Sequence, residues 1–282
     1  MGKFDGVLLV SDFDNTLVYT EDVFKEGADM RKPPAYSVER IQYFIDNGGT
    51  FAVVTGRTWL LIREFIHDVP HNAPCGVGNG AGLIDTKTGE YLYQNMLPAA
   101  AVEHMDEVLA AFPDLSCEIY CADDSADAIN PCTFSYNHAR SAKYEYRVVT
   151  DLHESTLPII KVLFEEDEPK DLPKIAEFIR SRPWFKDYEL ASSSNMLLEL
   201  TARGANKGTL VKALVDRLGM SMEHLYCVGD QGNDLSMIRA AGLGVAMGNA
   251  TESVKAAADA VTADCDHDGV AEVIETYLLH TL

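Results

Sequence analysis

Asp12 and Asp14 stand two residues apart at the end of an apolar run, in VLLVSDFDNTL over residues 7–17, and are followed by Asn15 and Thr16. Two carboxylates so placed need a positive partner, because close like charges do not both stay ionised without one. Three further segments end in comparable chemistry. Residues 51–54 run into Thr55-Gly56-Arg57, Lys207 opens a periodic segment, and residues 225–228 run into Gly229-Asp230-Gln231-Gly232-Asn233-Asp234. If these ends meet at one edge, the carboxylates would repel unless a divalent cation held them. Carboxylates, waters and a substrate phosphate are the usual surroundings of Mg²⁺. Taken singly, each signal has a plainer reading: Asp and Asn are good turn residues, and Lys207 alone would be a solvated lysine at a helix start.

The elements that must position these residues follow from the apolar pattern. Residues 7–10 are apolar and bounded by Gly6, as in a strand buried on both faces of a parallel sheet. In open α/β sheets, ligands bind beyond the carboxyl ends of such strands. With Ser37 as N-cap, Val38, Ile41, Phe44 and Ile45 recur at helical spacing until Gly48-Gly49. A strand over 51–54, a helix over 59–67 and a short strand over 74–77 complete a βαβαβ alternation, which implies a parallel sheet with right-handed crossovers.

Between residues 83 and 200 the rhythm changes. Helices are predicted over 99–112 and 172–180, strands over 143–149 and 159–164, a hairpin turn over 85–89, and solvated acidic loops at 123–124 and 165–171. From Gly208 the first rhythm resumes, with a helix to Leu218, strands over 225–228, 244–247 and 260–262, and a last helix over 270–279. The fold class is therefore α/β, with a Rossmann-like parallel-sheet core over 1–83 and 201–282 and an inserted α+β module over 84–200.

Composition narrows the function classes. A formal charge of −21 opposes nucleic-acid binding, which needs clustered Lys and Arg. No apolar run approaches the ~20 residues that span a bilayer, and MGKFDG lacks the apolar stretch of a signal peptide. Cysteines 75, 117, 121, 132, 227 and 265 show no C-x-x-C spacing and read as reduced thiols, hence a cytoplasmic protein.

DFDNTL at 12–17, VVTGR at 53–57, Lys207 and GDQGND at 229–234 resemble the four motifs of the haloacid dehalogenase (HAD) superfamily in order and spacing. NGA at 79–81, LEL at 198–200 before GANKG, VAMGNA at 245–250, VKAAAD at 254–259 and DGVA at 268–271 are similar to its Cof-type subfamily, the IIB group of phosphatases. Asn15 stands where the family commonly has glycine. The short span between the first two motifs leaves no room for a cap beyond one helix and its loop, whereas the span from Thr55 to Lys207 fits an α+β cap inserted after the third strand.

The resemblance implies roles. Asp12 would attack phosphorus to give an aspartyl phosphate, and Asp14 would act as general acid and then base, its neutral form favoured by burial beneath the cap. Thr55 and Lys207 would bind the transferring phosphoryl group, with Gly56, Arg57, Asn79 and Asn233 in phosphate or substrate contact. Mg²⁺ would sit at Asp12, the Asp14 backbone carbonyl and Asp230, with Asp234 beside the metal or orienting Lys207. The implied activity is a Mg²⁺-dependent phosphatase for a small phosphorylated metabolite, sugar phosphates first, in a monomer or weak homodimer without nucleic-acid or membrane partners. A phosphomutase and a non-catalytic phospho-ligand binding protein are the alternatives. A receiver domain fits neither Asp14 nor the insert.

Other residues point less sharply. His67 and His71 read as surface groups, 264–268 as a polar loop near the site rim, and Cys117 and Cys121 as partly buried neutral thiols. Lys161, inside the apolar PIIKVLF, either snorkels or reaches a cap surface that faces substrate. Asn137, His138, Arg140, Lys143, Tyr144 and Arg147 form a polar cluster suited to hydroxyls or a second anion, or a solvated face. Residues 192–195 read as a polar loop.

Overall fold

The computed structural model describes residues 2–23, 28–155, 158–168, 171–194 and 196–279. The chain opens with β1 (Leu8–Ser11), fully buried, and reaches β2 (Thr50–Val53) through the helix Ala35–Asp46. That helix buries Ile41 and Phe44 against the sheet. It begins two residues before Ser37, the cap expected from sequence. The Ser37 backbone N–H and hydroxyl instead donate to the Asp268 carboxylate at 3.0 and 2.9 Å, so the C-terminal segment holds the helix start. The helix expected over 59–67 stops at Ile62, and a separate 3₁₀ turn follows at Ile66–Asp68.

Next come β3 (Cys75–Val77), β4 (Gly82–Asp85) and β5 (Glu90–Gln94), an antiparallel sheet tied to the edge of β2 by a Val54–Gly76 bridge. The hairpin of β4 and β5, placed by sequence in an insert starting at residue 84, thus pairs with β3 and the core. The cap sheet follows: β6 (Ser116–Cys121), β7 (Ala126–Ile129), β8 (Arg147–Val148), β9 (Ile159–Glu165), β10 (Tyr188–Ser194) and β11 (Leu197–Ala202), in the order β10-β11-β9-β6-β7-β8. One cap face packs Cys117, Ile119, Val162 and Phe164 against Met105 and Val108 of the helix Ala101–Ala111 and Ile175 and Ile179 of the helix Leu172–Ser181. The opposite face carries Glu118, Tyr120 and Glu165 towards the core.

Several cap expectations change. The strand predicted over 143–149 shrinks to Arg147–Val148, because a helix, Thr133–Ala142, precedes it and ends with Lys143 at φ 55°. Glu165, expected in a solvated loop, is the buried last residue of β9. The polar loop expected over 192–195 continues β10 through Ser194, and Asn195 lies outside the described residues. Cys117 and Cys121 are buried, and burial pushes both thiols above their ordinary range.

The chain returns through the helix Lys207–Leu218 to β12 (Leu225–Gly229), β13 (Leu243–Ala246) and β14 (Ala260–Val261). The core sheet runs β14-β13-β12-β1-β2, with every pair parallel. Its register sets Ser11 beside both Val53 and Val228, so residues 12, 54–55 and 229–230 emerge at one edge. Both connections to the cap pass one place. Asn95 N–H donates to the Ala81 carbonyl at 2.7 Å on the way out. On the way back the chain runs so close to Gly80 (φ 118°) that a Cβ there would lie 2.2 Å from Asn206 N. Among the described residues no helix is long and apolar enough to cross a membrane.

Candidate active site

At the shared sheet edge, Lys207 Nζ donates to Asp12 Oδ1 and to Asp234 Oδ1, both at 2.6 Å. Lys207 is the first residue of its helix, whose start Asn206 caps by accepting from the Thr209 N–H at 3.0 Å. Asp234 Oδ2 accepts from the backbone N–H groups of Asp230 and Gln231, each at 2.9 Å, so both its oxygens are engaged. Gly229 makes this possible, since a Cβ there would lie 2.5 Å from the Asp234 carboxyl carbon. Asn15 has φ 53°, the left-handed region that explains the family's preference for glycine. Its Oδ1 accepts from the Thr20 N–H at 2.8 Å, closing the turn after Asp14.

Asp12, Asp230 and Asp234 therefore converge around one ammonium. Burial pushes the Asp12 carboxyl up to about 8, with Asp234 adding to the shift and Lys207 opposing it. Burial, then Asp234 and Asp12, push Asp230 up to about 9. For Lys207, burial works against the charge, but the attraction of Asp12 and Asp234 outweighs it and the ammonium is held charged. Asp230 Oδ2 is buried without a hydrogen-bond partner. Three carboxylates against one lysine, with an orphaned oxygen among them, form an all-oxygen donor set deficient in positive charge, which suits a hard divalent cation.

Asp14 departs from expectation. Its carboxylate accepts from Arg57 Nε at 2.9 Å and from Arg57 Nη2 at 2.7 Å. Burial alone would raise its pKa, but the Arg57 charge and hydrogen bonds outweigh burial and hold it below the usual carboxylate range. The neutral form predicted from burial is thus disfavoured in this arrangement. Arg57, predicted to contact phosphate, is engaged with Asp14 and lies over the Phe13 ring at 5.5 Å. Thr55 is fully buried, and its hydroxyl accepts from the Arg57 N–H at 3.1 Å.

The cap completes the site through residues the sequence left undecided. Lys161 Nζ donates to the Gly56 carbonyl at 2.7 Å and pairs with Glu199, so this lysine reaches across to the core loop. Glu199 in turn accepts from Asn79 Nδ2 at 2.7 Å, and Asn79 Oδ1 accepts from Asn233 Nδ2 at 3.0 Å. Asn79 and Asn233 are thereby brought together, joined to the cap by Glu199. Beneath lies a cavity of about 870 Å³, lined by Asp12, Asp14, Arg57 and Asn233 below and by Phe134, Asn137, His138, Lys161 and Leu163 above.

The predicted polar cluster divides. Asn137 and His138 line the cavity. Arg140 donates to the Ala28 carbonyl at 2.9 Å, Lys143 lies over the Phe65 ring at 5.6 Å, and Arg147 pairs with Asp127 at the sheet edge. Tyr144 is buried, donating to Glu118 at 2.7 Å. His71 meets Val69 O and Thr86 Oγ1 rather than His67, which is exposed. Glu118 and Glu165 were missed, although Ser116, Glu118 and Tyr120 alternate with apolar neighbours in a way that marks a strand with one polar face.

The arrangement of a parallel sheet, four strand-end motifs and an inserted cap has clear counterparts. A family model for haloacid dehalogenase-like hydrolases matches residues 9–274, and the chain belongs to that family. A haloacid dehalogenase-like hydrolase from Bacteroides thetaiotaomicron superposes with a TM-score of 0.80 at 28% identity, over 96% of this chain and 98% of that one. The phosphatase YwpJ of Bacillus subtilis is 43% identical over 126 residues, 41% of this chain; the match spans 44% of that relative's length. The pyridoxal phosphate phosphatase YbhA of Escherichia coli is 28% identical over 250 residues, which is 86% of this chain and 91% of that protein.

Proposed function

We propose that this chain is a Mg²⁺-dependent phosphatase acting on a small phosphorylated metabolite. The observation that carries the reading is the contact at 2.6 Å between the Asp12 carboxylate, on the cavity floor, and the buried Lys207 ammonium beneath it. It pairs a nucleophile with a group able to bind phosphoryl oxygens. Asp12 forms a bond to phosphorus as the ester oxygen leaves, and that oxygen takes a proton from Asp14. Asp14 then accepts a proton from the water that cleaves the aspartyl phosphate. Because Arg57 favours ionised Asp14, an arriving anionic ester competes for the guanidinium and frees the carboxyl to gain its proton.

The carboxylates of Asp12 and Asp230 and the backbone carbonyl of Asp14 are the groups that would hold Mg²⁺. Asp234, with both oxygens engaged, fits the role of holding Lys207. When bound, Mg²⁺ supplies positive charge that offsets the clustered carboxylates and the phosphoryl oxygens. Lys161, Glu199, Asn79 and Asn233 seat the cap over the motif loops and help exclude water.

Sugar phosphates head the substrate list, with Asn137 and Asp167 on the cavity wall as hydroxyl partners. Pyridoxal phosphate stands second, since Phe134, Leu163 and Leu197 offer an apolar wall to a ring. The test is phosphate release from a panel of such esters, with and without Mg²⁺, beside Asp12→Asn. Release that needs both the metal and Asp12 supports the reading. A rearranged phosphate ester instead of inorganic phosphate would identify a mutase, and binding without turnover would replace the phosphatase by a binding protein.

A further inference from the structure

On the cap wall above the cavity, away from the Asp12 cluster, Glu118 of β6, Glu165 at the end of β9 and His138 of the helix Thr133–Ala142 converge. They are 0%, 1% and 6% exposed. Among the described residues neither carboxylate pairs with Lys or Arg, so a compensating charge must come from His138 or from a ligand.

The local hydrogen bonds leave a defined gap. Glu118 Oε2 accepts from the Tyr144 hydroxyl at 2.7 Å and from Tyr120, and lies 3.2 Å from His138 Nδ1. Glu165 Oε2 accepts from the hydroxyls of Ser135 and Ser116, and its Oε1 lies 3.6 Å from His138 Nδ1. Glu118 Oε1 and Glu165 Oε1 are buried, and neither has a hydrogen-bond partner. Four hydroxyls thus hold one oxygen of each carboxylate, while the other oxygen of each has no hydrogen bond, and of these Glu165 Oε1 faces His138.

We propose that Glu118, His138 and Glu165 form a second divalent-metal site, of the zinc type, inside the cap. Ligand atoms around a tetrahedral ion with bonds of about 2.05 Å stand roughly 3.4 Å apart, and the unsatisfied Glu165 Oε1 lies 3.6 Å from His138 Nδ1, close to that edge, with Glu118 Oε2 at 3.2 Å from the same nitrogen. One imidazole with two carboxylates is a donor set that zinc favours, whereas the all-oxygen set at Asp12 and Asp230 suits Mg²⁺. The Tyr120, Tyr144, Ser116 and Ser135 hydroxyls act as the outer groups that orient carboxylate ligands. The Tyr144 oxygen, 3.2 Å from His138 Nδ1, stands beside the position of a fourth ligand. His138 borders the cavity, which gives an ion its way in.

The test is a Co²⁺ titration of the full chain with the core site saturated by excess Mg²⁺. The expected result is one equivalent of Co²⁺ with the intense visible bands of a four-coordinate ion, displaced by Zn²⁺. These bands persist in Asp230→Ala and are lost in His138→Gln and in Glu165→Gln, whose folding is checked by circular dichroism melts. Weak six-coordinate bands alone, loss of the bands in Asp230→Ala, or their survival in both cap variants would overturn the site. If neither cap variant folds, the wild-type stoichiometry and band intensity decide the matter alone. Absence of the bands assigns protons on His138 and Glu165, rather than a metal, as the compensating charge.

Discussion

The core and the cap each bury several carboxylates beside one basic side chain, and they do so by different means. In the core, Asp12 and Asp230 follow the ends of parallel strands β1 and β12 and Asp234 stands on the turn after β12, where the Asp230 and Gln231 backbone N–H groups no longer serve the sheet. Those N–H groups hold Asp234, and Lys207 bridges it to Asp12. In the cap, Glu118 lies within β6, between β7 and β9, where the ladder uses the backbone. Its support comes from Tyr120, Tyr144 and His138 instead. The core's strand ends therefore make a charged site that is open to substrate, whereas the cap's carboxylates, inside β6 and at the covered end of β9, are enclosed by side chains.

The sharpest break in this comparison is Asp12→Asn, a nearly isosteric change. Loss of the nucleophile should lower phosphate release by about 10⁴-fold or more while the melting temperature stays within a few degrees. Activity near wild type would leave the core cluster merely structural. Lys161→Met tests the link between the two regions. It strands Glu199 without its cation and should cost about 3–5 kcal/mol of unfolding free energy in a denaturant titration. Adding Glu199→Leu should recover much of that stability without restoring turnover; recovery of both would reduce the pair to packing.

A smaller effect is expected at Arg57. The guanidinium holds the Asp14 carboxyl below its usual range against the effect of burial, so Arg57→Ala should raise that pKa. The limb of kcat/KM against pH that requires protonated Asp14 should then move to higher pH, with turnover down about tenfold. An unmoved limb would mean that Asp14 titrates independently of Arg57.

The smallest effect concerns Asp127, a cap carboxylate that has the arginine its neighbours lack. Burial raises its pKa, but hydrogen bonds from Arg147 and Ser155 outweigh burial and leave it depressed. Its contribution is complete above the unfolded-chain value of about 3.9 and fades as pH falls through the lower folded value. Since the Arg147 side chain is 58% exposed, Asp127→Asn should cost no more than about 1 kcal/mol at pH 6. The gap from wild type should narrow towards pH 3 in thermal melts, and a constant gap would exclude the ion pair as its cause.

The same contrast explains what could be read from the chain alone. The core was legible because its chemistry follows apolar runs directly: 7–10 before Asp12, 51–54 before Thr55, 225–228 before Asp230. The cap was not. Glu118 and Glu165 act through partners on other elements, and Glu165 begins an acidic run that resembles a solvated loop. The helix Thr133–Ala142 lacks a strong apolar stripe, since Ser135 and His138 share its buried side with Phe134. The state of Asp14 escaped for a similar reason, because burial is visible in a pattern and the reach of Arg57 is not.

Gly80 carries a mechanical consequence. The outgoing chain is fastened at Ala81 and the returning chain brushes Gly80, so the cap hangs from the core like a gate on a single post. Any swing about that post must release the Lys161–Gly56 and Glu199–Asn79 contacts, whereas a sideways slip must also break the Asn95–Ala81 bond. Any side chain at position 80 would be a wedge driven against the Asn206 backbone, setting the gate ajar at its rest angle and leaving its latch, Lys161 on the Gly56 carbonyl, short of its catch.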